Sequence, residues 1–191
     1  MTGGVAAGKS EALAAFARIG VATVSSDQLV HDLLEREPVI SEIEARWGPE
    51  VLVDGRVDRE AIGRRVFSDR AELEWLESLV HPLVRQEIES WVEAVGSGVA
   101  VVEVPLLFEG TFHDRFDATV AVVADEAVRR ERAGARAQAG LEGREARQLS
   151  QAEKAEMADH VIVNDGSVED LESALRALLE GLDLEPPPPP G

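Results

Sequence analysis

Cysteine is absent from this 191-residue chain, and a good deal of chemistry goes with it. Without a thiol there is no disulfide framework, no zinc–thiolate site and no cysteine nucleophile. No apolar run approaches the roughly 18 residues that span a bilayer, and no signal-peptide pattern opens the chain. A cytoplasmic enzyme with no membrane partner is therefore expected. Positive charge is scarce as well: 19 Lys+Arg stand against 37 Asp+Glu, for a net charge of −18. With no surplus of cations to neutralise a phosphate backbone, a nucleic-acid partner is not expected. A small phosphate ligand fits only if the few cations converge on one site. Lysine is rarest of all, at Lys9 and Lys154 only, and Asn164 is the only asparagine. A coding bias toward arginine accounts for the trend and leaves both lysines conspicuous.

What is present begins at the amino terminus. Hydrophobic content of 45% and charged content of 29% suit a globular domain. Gly3-Gly4-Val5-Ala6-Ala7-Gly8-Lys9-Ser10 fits G-x-x-x-x-G-K-[ST], the loop that cradles a nucleoside triphosphate. Glycines let consecutive N–H groups turn inward onto phosphate oxygens. Lys9 reaches the β- and γ-phosphates, and the Ser10 hydroxyl can ligate Mg²⁺. The alanine-rich run from Glu11 to Ile19 reads as a helix whose amino end faces the anion. Only Met1 and Thr2 precede Gly3, although a central parallel strand usually has about five residues. The first strand is therefore read as missing, and the natural chain is expected to start several residues upstream.

Short apolar runs at Gly20–Val24, Val99–Val104, Ala118–Ala124 and Val161–Val163 read as buried strands. Between the first two, residues 28–95 are mostly helical in pattern, with a turn at Asp54-Gly55, a cap at Asp58 and another at Ser68 or Asp69. His81-Pro82 is expected to interrupt the helix there. A last helix runs from about Val168 to Glu180, and Pro186 to Pro190 reads as a disordered or polyproline tail. Strands alternating with helices imply an α/β fold with a parallel sheet, in which ligands sit beyond the carboxyl ends of the strands. The P-loop, Ser25–Asp27, Pro105–Gly110, Asp125 and Asn164–Gly166 should line that edge.

Asp27 is a lone carboxylate close to the P-loop that could deprotonate an acceptor hydroxyl or organise Mg²⁺; it could equally cap the following helix. Arg129, Arg130, Arg132, Arg136, Arg144, Arg147 and Lys154 form the one cationic concentration, with few large apolar residues among them. They fit a lid that closes over a transferring phosphate, or a solvated helical hairpin with ion pairs to nearby glutamates. His81 suits a substrate contact or a structural turn. His31, His113 and His160 are too scattered for a metal site, and Trp47, Trp75 and Trp91 suit core or groove.

Taken together these segments resemble the dephospho-coenzyme A kinase family over nearly the whole chain. The matching stretches are Thr2 to Ser10, Ser25-Ser26-Asp27 through His31, Asp54 to Ile62, Val66-Phe67, and Leu76 through His81-Pro82-Leu83-Val84-Arg85. They continue with Pro105-Leu106-Leu107-Phe108-Glu109, then Arg144, Gln148 and Lys154, and Ala158 to Gly166. The P-loop alone is shared with many NTPases; H-P-x-V-R, P-L-L-F-E and A-D-x-V-I-x-N-x-G in this order are far more specific.

The resemblance implies a P-loop kinase with a three-layer core, a helical substrate-binding insertion and a lid. It implies ATP-dependent phosphorylation of the 3′-hydroxyl of dephospho-coenzyme A, with Mg²⁺, by a monomer or small homo-oligomer. The core is assigned to 1–27, 97–125 and 158–181, the helical domain to 28–96, the lid to 126–157 and the tail to 182–191. Asp27, Lys9 and Arg144 are the catalytic candidates, and Ser10 and Asp27 the metal candidates. Gly3, Gly4, Val5, Ala6, Ala7, Gly8, Lys9, Ser10, Glu11 and Asn164 are the nucleotide-binding candidates. His81, Arg85, Pro105, Leu106 and Glu109 are the acceptor-side candidates. Ser25 stands where the family has its first aspartate, and which of Arg129, Arg132 or Arg136 contacts phosphate is open. Another nucleoside or nucleotide kinase, or a nucleotide-binding module without catalysis, is the alternative.

Overall fold

The computed structural model describes residues 1–134 and 148–184. The chain divides into a P-loop unit, Met1–Ser25 with Val95–Gly191, and a helical unit, Ser26–Ala94.

In the P-loop unit the strands are β1 (Thr2–Gly3), β2 (Ala22–Ser25), β5 (Ala100–Glu103), β6 (Val120–Val123) and β7 (His160–Val163). All pairings among them are parallel: β1 with β6, β6 with β7, and β2 with β5. The Met1 nitrogen donates to Val102 O at 2.7 Å and Val104 N–H donates to Met1 O at 2.9 Å, so Met1 joins the β2–β5 pair to the β1–β6–β7 sheet. The strand read as missing is therefore present as β1, with Met1 6% and Thr2 0% exposed. In β6 Val120, Ala121 and Val122 are buried in succession, as in a strand covered on both faces, whereas β7, expected to be buried, buries Ile162 and exposes Val161 and Val163. Helix α1 (Lys9–Arg18) and α8 (Val168–Gly181) bury Ala12, Ala15 and Phe16 against Leu171, Leu175 and Leu179, the last three at helical spacing. Ser150 and Ser167 open α7 (Gln151–Met157) and α8 with capping boxes. A further helix, α6, covers 126–134.

The helical unit contains α2 (Ser26–Leu33), α3 (Glu37–Trp47), α4 (Arg59–Ser68) and α5 (Arg70–Val95), the last running into the boundary of the other unit. Its hairpin of β3 (Leu52–Val53) and β4 (Arg56–Val57) turns at Asp54 and Gly55, whose φ values of 52° and 75° are the two positive values of a type I′ turn. Asp58 caps α4 by accepting from the Glu60 and Ala61 N–H groups. Leu34, Val39, Ile43, Trp47, Val51, Ile62, Val66 and Val80 form the core. Contrary to expectation, α5 is continuous through His81-Pro82. Proline denies the Ser78 carbonyl its ladder partner, but Ser78 and Pro82 are both exposed, so water can replace that bond. No helix among the described residues is long and apolar enough to cross a membrane.

Candidate active site

Residues between β1 and α1 form the P-loop. Ala6 has φ 58° and Gly8 has φ 91°. The Ala7 N–H donates back to Gly4 O at 3.2 Å and closes the loop. Left-handed residues alternating with ordinary ones turn successive N–H groups to one side, the concave arrangement that receives anions. At Gly8 a Cβ would collide with the Asn164 side-chain amide, so glycine is required twice over, for φ and for space. Helix α1 has no side-chain cap, which leaves its first N–H groups and the positive end of its dipole available to a ligand. Lys9 Nζ donates to Gly3 O and Gly4 O at 3.3 and 3.2 Å, folding the ammonium back over the loop. Ser10 follows in the first turn with its side chain exposed, and Glu11 pairs with Arg18. Gly3, Gly4, Val5, Ala6, Ala7, Gly8, Lys9 and Ser10 are thus brought into one cradle.

Asn164, just beyond β7, is 4% exposed. Its Nδ2 donates to Ala7 O at 2.9 Å, so it holds the loop from the side. Arg132 Nη1 donates to Asn164 O at 2.8 Å and Arg129 Nε to Val5 O at 2.8 Å. Two of the three arginines left open by the sequence therefore reach the cradle; Arg136 lies outside the described residues, as do Arg144 and Arg147. Gly8, Glu11, Arg132, Asn164, Gly166, Ser167 and Val168 line an adjoining open pocket of about 320 Å³. That volume is at the low end of small-molecule sites.

Glu103 escaped the sequence reading. It ends β5, is 6% exposed, and accepts from the Ser25 hydroxyl at 2.8 Å across the Ser25–Glu103 register pair. The available signal was an acidic residue closing an apolar strand at the ligand-bearing edge. Ser25 therefore does not leave the edge of the sheet without a carboxylate.

The Pro105–Glu109 loop continues from there. Leu106 is 40% exposed, whereas Leu107 and Phe108 are buried. Lys154, one of the cations expected in a lid or a solvated hairpin, is instead buried: it is 0% exposed, bonded to Pro105 O at 2.6 Å and paired with Glu109 Oε1 at 3.2 Å. A long apolar stem with one charged tip can be buried once the tip is paired, which composition alone does not disclose. Gln151, one turn earlier on α7, exchanges hydrogen bonds with the Ala124 backbone at 3.2 and 2.9 Å.

The other candidates belong to the helical unit. Helix α2 begins at Ser26, so Asp27 is exposed within the first turn rather than at the cap. His81 and Arg85 are exposed one turn apart on α5, on a shared helix face. Among the described residues no group of three or more His, Asp or Glu side chains is arranged to hold a metal ion. Mg²⁺ in phosphoryl-transfer sites uses one or two protein oxygens plus phosphates, so such a cluster is not required.

The family model for dephospho-CoA kinases (CoaE) matches residues 1–170. A dephospho-CoA kinase of Symbiobacterium thermophilum is 38% identical over 97% of this chain and 83% of its own length. One from Methylococcus capsulatus is 38% identical over 93% and 92%. Among solved structures, TT1252 from Thermus thermophilus superposes with a TM-score of 0.81 at 36% identity, covering 95% of each chain. The dephospho-CoA kinase from Campylobacter jejuni gives 0.70 at 22% identity over 95% and 94%, a likeness of fold.

Proposed function

The chain belongs to the dephospho-CoA kinase family, and from that premise we propose that it moves the γ-phosphoryl group of ATP onto the 3′-hydroxyl of dephospho-coenzyme A through the residues assembled above. The P-loop carries this reading: an anion cradle with Gly8 at φ 91°, an uncapped α1 and the Lys9 ammonium folded over it. The cradle would bind the β- and γ-phosphates, and Lys9 would follow the negative charge as it shifts toward the leaving oxygen. Arg132 and Asn164 border the pocket in which the nucleoside end of ATP would sit.

In the transfer the acceptor oxygen attacks the γ-phosphorus. The bond from that phosphorus to the β,γ-bridging oxygen breaks, and ADP departs with the electron pair. Asp27 is assigned the acceptor proton, and Arg144 the stabilisation of charge on the transferred group. Ser10 and Asp27 would hold Mg²⁺, with Glu103 a further oxygen donor; the ion would offset phosphate charge. Hard oxygen donors of this kind suit that metal. His81, Arg85 and the Pro105–Glu109 loop are assigned to the acceptor. The buried Glu103 carboxylate, beside the Ser25 that stands for the family's first aspartate, weighs against a non-catalytic nucleotide-binding module.

The test is ADP release by the full chain with dephospho-coenzyme A and Mg·ATP, with coenzyme A identified by mass spectrometry. Coenzyme A is the expected product. Preferred turnover of a nucleoside monophosphate would overturn the substrate, and ATP binding without any product would overturn catalysis.

A further inference from the structure

We propose that the Lys154–Glu109 pair is a positioning device for the phosphoryl acceptor, acting through the 105–109 loop and not through the nucleotide cradle; the proposal rests on the kinase reading above. The loop is tied at both ends. At its first residue, Pro105 O accepts from Lys154 Nζ at 2.6 Å and from Thr2 Oγ1 at 3.1 Å. At its last, Glu109 Oε1 accepts from Leu149 N–H at 2.9 Å and faces Lys154 Nζ at 3.2 Å. Between the ties Leu107 and Phe108 are 0% and 7% exposed, and Leu106 alone turns outward at 40%. A loop pinned in this way presents Leu106 and its own backbone in one fixed place at the carboxyl edge of β5.

Stability does not account for the pair. Removing an ammonium and a carboxylate from water costs about as much as their attraction returns, and an apolar pair of the same shape is often as stable or more so. The Lys154 and Glu109 side chains are 0% and 17% exposed, so that cost applies. What the pair supplies is direction: a compact ammonium with several donors can reach both ends of one loop at once. Its identity points the same way, since Lys154 is the only lysine outside the P-loop in a chain whose other 17 of 19 basic residues are arginine. Lys154 is fully buried, so its role is assigned to the loop it holds and not to contact with the acceptor.

The experiment uses the full chain with Lys154→Met, Glu109→Gln and Thr2→Val. For each, the KM for dephospho-coenzyme A, the Kd for ATP and the Tm are measured. Lys154→Met and Glu109→Gln are expected to raise the acceptor KM roughly 10- to 100-fold, with ATP affinity within about twofold of wild type. Thr2→Val is expected to shift it less, in the same direction. Thr2 is 0% exposed, so a shift there cannot come from lost substrate contact, and it decides the matter should Lys154→Met fail to fold. The double variant Lys154→Met with Glu109→Leu is expected to recover Tm without recovering the acceptor KM. Lower Tm with unchanged acceptor KM, or a parallel loss of ATP affinity, would overturn the proposal, as would recovery of the acceptor KM in the double variant. If the wild type phosphorylates a different acceptor, the substrate assignment fails, and the same split is read with that acceptor.

Discussion

Among the described residues, Thr2, Glu103, Thr119, Lys154 and Asn164 are the buried polar or charged side chains of the P-loop unit, whereas the helical unit buries Ser26. The P-loop unit uses these groups to tie loops to strands: Asn164 to the P-loop, Lys154 to the loop after β5, Glu103 to the end of β2. The helical unit is held by an apolar cluster running from Leu34 to Val80 and by surface pairs such as Arg46–Glu72 and Arg36–Glu87. Apolar burial is non-directional and tolerates small shifts, and exposed ion pairs contribute about 0–1 kcal/mol each. Buried hydrogen bonds fix angles and distances. Phosphoryl transfer depends on positioning and preorganised charge more than on covalent help from the protein, so the unit proposed to hold the phosphates is the one built from directional contacts.

Lys9→Ala should separate the units most sharply. Its ammonium rests on the Gly3 and Gly4 carbonyls at the cradle. Losing that cation should lower kcat/KM by ~10³-fold or more in the ADP-release assay while Tm changes little. A near-normal rate would remove the P-loop unit's claim to the chemistry.

Asp27→Asn, in the helical unit, is expected to lower kcat by about 10²- to 10⁴-fold while calorimetric ATP affinity is kept. If kcat is retained, Asp27 serves the amino end of α2 electrostatically, and the comparison hardens into one unit that reacts and one that only binds.

Ile43→Ala tests the helical unit's own cohesion. Ile43 is 0% exposed in its apolar cluster. Truncation should cost roughly 2–5 kcal/mol in urea unfolding, with ATP affinity unchanged. A fall in ATP affinity of matching size would show that the two units do not act separately.

Much of the P-loop unit was legible because its signals are local. Gly8 and Lys9 announce a phosphate cradle within eight residues, and apolar runs such as Val99–Val104 announce buried strands. Asp58 and the Asp54-Gly55 turn were legible for the same reason. What escaped depends on partners far apart in sequence. Nothing near Lys154 reveals that its tip meets Pro105 and Glu109, and nothing near Glu103 reveals that it receives the Ser25 hydroxyl. Pro82 misled because its local effect is to break helices, whereas an exposed position lets water take the carbonyl it leaves unpaired.

The smallest expected effect concerns acid. Thr119 donates from Oγ1 and from its backbone N–H to Asp159 Oδ2 at 2.6 and 2.7 Å, joining the starts of β6 and β7. The hydroxyl first, then the backbone N–H, holds the Asp159 carboxyl below its ordinary 3.8. A carboxyl depressed in the fold takes up its proton later than in the unfolded chain. The stability it adds is complete above 3.8 and is lost as pH falls through the folded-state value. Glu87 and Glu72 of the helical unit are depressed too, first by the Arg36 and Arg46 guanidinium groups respectively. Those are exposed charge pairs, which about 1 M salt screens strongly, whereas Thr119 brings no charge to be screened. Thr119→Val should therefore narrow its stability gap from wild type as pH falls below 3.8 in low and high salt alike, while Arg36→Gln should lose its acid dependence in high salt. A salt-sensitive Thr119 effect would place Asp159 among the charge pairs and erase the distinction between the two units at that site.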